Sequence, residues 1–456
     1  MVTTKPQKGA SDGFTGAFQP PLRQFRLRRS SPEPKKAAAP LSDFTPNGAF
    51  LATRRDRPVS APREPREAQK KQHHRPLTLF LSPSSLSTVK IIAERKLLSP
   101  YSGLESRSFW KTGVVEKHPL ELEDLYIKKF DIGRNDWIAT AGSCFAQHIA
   151  DRLRLRGFQV IDAEPPPPGL DSETAKQFGF ELYSARYGNV YTVRQLLQLI
   201  QECSGLRSPL VGVWEKNGRF YDALRPSVEP KGLPSPEAVA AHRSQHLSRV
   251  RSMLERTDLL VFTLGLTEAW IHGADGTVYP TAPGTIVGCY DPSSYAFKNF
   301  SYDEVLQDFL ELRTLLTSIK SDIRFMLTVS PVPLTATAGH EHVLAATVYS
   351  KSVLRAVAGY LAMSFPDIDY FPSYEIIAGA PARGFFYESN LRSISAAGVD
   401  VVMRSFFRQH GGADQASADD PKTTRADVRS VLSGVAEINA LQQAFCDEVL
   451  LEAFAP

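Results

Sequence analysis

The sequence predicts an α/β protein: a three-layer α/β/α domain around a doubly wound, mainly parallel sheet, preceded by a disordered tail. Three observations carry this. From about residue 120 onward, short apolar runs alternate with helical segments. The runs are apolar throughout instead of alternating, as strands buried on both faces must be. The first 80 of the 456 residues show neither pattern.

Residues 1–80 hold 16 Lys/Arg against 6 Asp/Glu and carry 11 of the 33 prolines. Such a segment cannot bury enough apolar surface to offset the entropy of ordering, so it is expected to be disordered. The whole chain is +4, which leaves the remainder at −6. An acidic folded part argues against nucleic acid as a partner, because phosphate recognition needs an ordered basic face. The apolar stretch LTLFLSPSSL (77–86) is too short to span a membrane and is broken by Pro83. No integral membrane segment is expected. Cys144, Cys203, Cys289 and Cys446 are widely spaced with no C-x-x-C pair, which fits a reducing cytoplasm without structural disulfides.

The strands follow in order. DWIATAG (136–142) and FQVIDAE (158–164) flank the helix AQHIADRLRLRG, with Ile149, Leu153 and Leu155 as its apolar stripe and Arg152, Arg154 and Arg156 facing water. TDLLVFTLG (257–265), DIRFMLTVSPV (322–332) and DIDYFPSY (367–374) are three further apolar runs. PEAVAAHRSQHLSRVRSMLER and YDEVLQDFLELRTLLTSIK are amphipathic helices between them. The folded domain is expected over 95–412, with a helical extension over 413–456. Two long loops, 183–192 and 272–300, are expected to form binding walls.

In such sheets ligands gather outside the carboxyl ends of the strands. Gly142-Ser143-Cys144, Gly265-Leu266-Thr267-Glu268 and Ser330-Pro331-Val332-Pro333 all fall there. A serine at a strand-to-helix turn projects its hydroxyl at the sheet edge, and the following helix offers free N–H groups to a developing oxyanion. The same residue is also a common helix cap, and spacing alone leaves nucleophile and cap equally open. Cys144, one past the turn, is expected to pack inward as a small structural side chain. There is no Walker motif and no Gly-x-Gly-x-x-Gly after a strand, so no cofactor is expected.

TAGSCFAQHIA (140–150) resembles the signature of the GSCFA family, a domain related to the SGNH/GDSL hydrolases. RYGNVYT (186–192), FTLGLTEAW (262–270), SPVPLTAT (330–337), SKSVLR (350–355) and YFPSYEI (370–376) resemble further blocks of that family, in family order. The resemblance implies an SGNH-hydrolase-like fold with Ser143 as nucleophile. Its own N–H and Gly188 or Asn189 would form the oxyanion hole. Thr267 stands where that wider group carries an asparagine, with Glu268 beside it. The Asp-x-x-His expected after the last strand is absent: Asn390 and Ser393 occupy those places.

A replacement base is therefore needed, and His342 is the preferred candidate, with Glu341, Glu268 or Asp369 to orient it. The alternative is that His340 and His342 are exposed loop histidines. His340-Glu341-His342 also raises chelation, but zinc needs a third ligand and no H-E-x-x-H is present, so no metal is expected. His148 is expected to be structural, and His242 and His246 solvated. Arg186, Trp270 and Lys351 are candidate substrate contacts. Arg186, Arg194, Lys351, Arg355 and Arg392 would favour an anionic substrate such as a uronic or phosphorylated sugar. The expected function is a serine esterase or O-acyltransferase acting on an acylated carbohydrate or polysaccharide. The alternative is a catalytically weakened relative that binds a glycan or protein partner through the same pocket.

Overall fold

The computed structural model describes residues 99–411, apart from residue 123, and residues 447–455. The expected tail over 1–80 and the expected helical extension up to residue 446 lie outside the described residues. The chain divides into two units, Met1–Glu94 and Arg95–Pro456, and every element below belongs to the second.

The strands in chain order begin with β1 (Ile138–Gly142), β2 (Val213–Lys216), β3 (Arg219–Asp222) and β4 (Leu259–Leu264). They continue with β5 (Glu268–His272), β6 (Val278–Tyr279), β7 (Tyr295–Asn299), β8 (Arg324–Val329) and β9 (Ile368–Tyr370). The helices are α1 (Phe145–Leu155), α2 (Ser172–Gln177), α3 (Val193–Cys203) and α4 (Pro236–Leu254). After them come α5 (Tyr302–Ile319), α6 (Val343–Ser364), α7 (Ser373–Ala378) and α8 (Ala396–His410). Among the described residues no helix is long and apolar enough to cross a membrane.

The central sheet runs β1-β4-β8-β9, and all three pairings are parallel. Every residue of β4 is buried, which is why its sequence LLVFTL shows no alternation. Alternation survives in where the side chains point. Leu260, Phe262, Phe325 and Leu327 pack with α3, α4, α5 and α6, whereas Leu259, Val261 and Met326 pack with α1, α7 and α8. Two separate apolar clusters on opposite faces make this a three-layer α/β/α domain.

The second expected strand, FQVIDAE, is reduced to a single parallel bridge, Ile138 to Val160. Beyond it the chain turns away: the Ala163 N–H donates to the Ser184 carbonyl, so the 183–192 segment takes over this side. Leu155 is 73% exposed, unlike Ile149 and Leu153. At 3.6 residues per turn, positions 149 and 153 share a face and 155 lies off it. Arg152 and Arg154 do not face water freely: Arg152 pairs with Asp400 at 2.6 Å, and Arg154 with Asp151 and the Glu181 carbonyl.

The long loop over 272–300 supplies β6 and β7, which flank β5 in a small antiparallel sheet. β2 and β3 form a hairpin around Asn217-Gly218, both at positive φ (54° and 72°), as the tight two-residue turn requires. Helix starts follow sequence signals. Ser301 and Glu304 form a capping box on α5, and Ser235 caps α4 ahead of Pro236.

Candidate active site

β1 ends at Gly142, whose φ of 144° is closed to L side chains. A Cβ there would stand 2.5 Å from the Thr263 carbonyl of β4, so the two strand ends approach backbone to backbone. The Ser143 N–H then donates to Thr263 O at 3.4 Å, and the Ser143 carbonyl accepts from Ala146 at 2.8 Å. The residue at the N-cap of α1 is Cys144, without any side-chain cap bond. The capping role left open by the sequence is therefore not what Ser143 does with its hydroxyl.

Ser143 is 3% exposed and its Oγ is buried without a hydrogen-bond partner. A buried hydroxyl in that state costs about 1–3 kcal/mol. Two strand-end segments close on it: a Cβ at Gly265 would lie 3.0 Å from both Ser143 Cβ and the Tyr191 carbonyl. Ser143 and Gly265 end β1 and β4. The chain leaves β1 for Val160 on one side and later adds β4, β8 and β9 on the other. This is the topological switch point, where open α/β sheets bind ligands.

The segment 185–192 forms one wall. Gly188 takes a positive φ of 68°. Asn189, buried, accepts the Tyr183 hydroxyl on its Oδ1 at 2.6 Å, and Tyr183 in turn accepts from Gln147 Nε2 at 3.0 Å. That chain turns the amide nitrogen of Asn189 away from Tyr183. Gly188, Asn189 and Tyr183 line a cleft of about 640 Å³. On the other side, Leu266, Glu268 and Trp270 line a second cleft of about 190 Å³, walled by Tyr279, Phe297 and Leu334. Leu450 of the C-terminal 3₁₀ turn (Asp447–Phe454) borders the first cleft and Leu451 the second.

Several expected residues are placed elsewhere. His342 is exposed and caps α6, its Nδ1 accepting the Leu344 N–H at 3.1 Å. It makes no bond to Ser143. Immediately before a helix begins, a polar side chain or imidazole finds the first backbone N–H groups, and His342 takes that local solution. Thr267 is fully committed: its N–H donates to Ser350 Oγ at 3.0 Å and its hydroxyl to Asn299 Oδ1 at 2.7 Å. Glu268 accepts from the Thr337 hydroxyl at 2.8 Å. Asp369 accepts from the Tyr126 hydroxyl and the Lys129 N–H. Asn390 accepts from the Arg392 and Ser393 N–H groups and donates to Ser393 Oγ at 2.9 Å, which makes it the builder of a turn.

Three of the five cationic candidates pair with carboxylates. Arg186 pairs with Glu229 and donates to the Phe178 carbonyl; Arg194 pairs with Asp308, and Arg355 with Glu375. Lys351, 1% exposed, places its Nζ 2.7 Å from the Gly265 carbonyl, so it anchors the strand end that abuts Ser143. His246 is not solvated: it is 1% exposed, with Nδ1 2.8 Å from Glu164. Burial, aided by the Arg225 charge, holds its pKa down at about 4. Burial opposes ionisation of Glu164, yet its bonds to His246 and the Arg186 N–H hold that carboxyl at about 2. His148 lies beside the Phe145 ring, and burial lowers it to about 4, in keeping with a structural role. Among the described residues no group of three His, Cys, Asp or Glu is placed to hold a metal ion.

Sequence reasoning missed Tyr183 and Gln147, which orient Asn189, because both are ordinary residues and Gln147 reaches Tyr183 across 36 positions of chain. No curated protein matches the chain. The model of the GSCFA family matches residues 137–406, from β1 into α8, and so spans Ser143, Asn189, Gly265 and Lys351. The chain belongs to the GSCFA family.

Proposed function

We propose that the domain is a serine esterase or O-acyltransferase acting on an acylated carbohydrate, through a site that resembles that of the SGNH/GDSL hydrolases. One observation carries this reading: a buried, partnerless hydroxyl at the switch point of a parallel sheet, next to the N-terminus of α1. A buried polar group without a partner calls for an explanation, and a catalytic role is the one that this strand-end position supports. In the reaction the Ser143 oxygen would add to the acyl carbonyl, its proton passing to a base. The alcohol would then leave with a proton, and water or a second alcohol would take the acyl group from the serine. Developing negative charge would meet the Asn189 amide and the Ser143 N–H, the latter giving up its long bond to the Thr263 carbonyl.

A second reading, a weakened relative that binds a glycan or protein partner, is favoured by a different observation. Ser143 has no imidazole bonded to it, and a serine site stripped of its base keeps only a small part of its rate.

Labelling with a fluorophosphonate separates the two. An esterase labels, and Ser143→Ala does not. A binder does not label at all. The same variant tests the strain. Because the hydroxyl has no partner, Ser143→Ala is expected to leave stability unchanged or raise it by about 1 kcal/mol in urea unfolding. A loss above about 1 kcal/mol would mean that the hydroxyl is bonded in solution and serves structure.

A further inference from the structure

The cleft beside Asn189 has a charge pattern that the five expected cations did not foretell. Three charged side chains line it, Lys176, Lys216 and Arg219, and among the described residues no carboxylate does. Lys216 Nζ donates to the Ile286 carbonyl at 2.8 Å. Arg219 donates through Nε to the Lys231 carbonyl at 3.0 Å and through Nη2 to the Gly232 carbonyl at 2.6 Å. Carbonyl oxygens fix the direction of a cation without cancelling its charge. Several cations elsewhere in the domain meet carboxylates: Arg186 with Glu229, Arg194 with Asp308, Arg243 with Glu202 and Asp222. Lys216 and Arg219 meet backbone carbonyls instead.

The surroundings point the same way. Asn217 and Gly218 form the hairpin turn that carries Lys216 and Arg219 on adjacent strands, so the two heads stand on one rigid element. Leu182, Val228, Ile286 and Val287 add apolar lining, and Asn189 and Tyr183 line the same cleft. A ligand suited to it has an anionic group, a carbon skeleton that packs on aliphatic side chains, and a polar group near Asn189. A volume of about 640 Å³ holds a sugar unit or two.

We propose that this cleft binds the negatively charged part of the ligand, a sugar bearing a carboxylate or phosphate, and so sets the substrate class. This rests on the reading of Ser143 as the reacting residue only in that the anion would be the alcohol part of the ester. Two anion chemistries fit the same cations, and the test separates them.

Calorimetry on the full chain would compare tri-galacturonate, glucose 1-phosphate and neutral maltotriose, in 50 and 500 mM NaCl. At least one anionic ligand is expected to bind tenfold or more tightly than maltotriose, and to lose that advantage at high salt, where screening is nearly complete. Lys216→Glu and Arg219→Glu, each made singly in case one fails to fold, are expected to weaken that ligand tenfold. Arg249→Glu, an exposed position on α4 away from the cleft, changes nothing. Tri-galacturonate as the binder means a carboxylate ligand, glucose 1-phosphate a phosphate ligand. Equal affinity for charged and neutral ligands, no binding of any, or an effect of Arg249→Glu as large as that of Lys216→Glu overturns the proposal. Anion binding without fluorophosphonate labelling would remove the esterase reading and leave this one; labelling without anion preference would do the reverse.

Discussion

Replacing Gly142 by alanine is expected to destabilise the domain by about 4 kcal/mol, the sum of a strained backbone and an overlap that has no room to relax. The φ of 144° accounts for the first part. The second comes from Thr263, whose carbonyl, Cβ and nitrogen would lie 2.5, 2.7 and 2.9 Å from the new methyl group. Two of those three atoms are backbone of a central strand paired on both sides, so they cannot swing away. Gly103→Ala is the reference: its φ is 87°, but nothing lies within 4 Å of the added carbon. That variant isolates the strain and is expected to lose about 1 kcal/mol. Urea unfolding of both would check the difference. Equal losses would show that the close approach of β1 and β4 is not rigid, and with it the geometry that presents Ser143.

The domain is also expected to lose several kcal/mol of stability between pH 6.5 and 4. His246 and His410 are 1% and 6% exposed, and burial holds each near 4 against an ordinary value of 6.5. In the unfolded chain both take up a proton as pH falls through 6.5, whereas the folded state resists until about 4. Protonation therefore favours unfolding across that window, by about 3 kcal/mol for each group. Asp308 works against this. Burial lifts its carboxyl to about 6, so the folded state binds a proton sooner than the unfolded chain and regains about 3 kcal/mol on the way down. Glu164, held at about 2, adds its loss only below pH 4.5. His410→Gln should flatten the slope of unfolding free energy against pH between 6.5 and 4, because Tyr126 can still bond to the amide. A slope unchanged in both His410→Gln and His246→Gln would show that neither imidazole is held neutral by the fold.

The same two histidines show where reading from sequence stops. His246 sits on α4, whose apolar pattern is weak, between Gln245 and Leu247, and nothing local distinguishes it from a solvated residue. Its burial is decided by Glu164, 82 positions earlier, arriving from the turn after Val160. His342 shows the opposite case. Its neighbourhood in sequence looked right, three residues past Gly339 and near a strand end, but a local backbone N–H claimed the ring. Of the five cations expected to attract an anion, three meet carboxylates distant in the chain: Glu229 for Arg186, Asp308 for Arg194, Glu375 for Arg355.

The sequence by itself determined the fold class, the four strands β1, β4, β8 and β9 of the central sheet, and the place of Ser143 after the first of them. These depend on apolar run length, turn residues and a parallel sheet's need to bury both faces, all of which are local or nearly so. The hairpin that carries Lys216 and Arg219 also rests on a local signal, Asn-Gly at positive φ, which the sequence reading passed over. What tertiary structure alone decided is which polar groups are used up and which are left over. Thr267, Arg186 and His342 found partners, while Ser143 Oγ found none. Pairing is a matter of ångströms between segments far apart in the chain, and burial makes each pairing or its absence expensive. Residue types along a chain do not encode that distance; the packed sheet edge does.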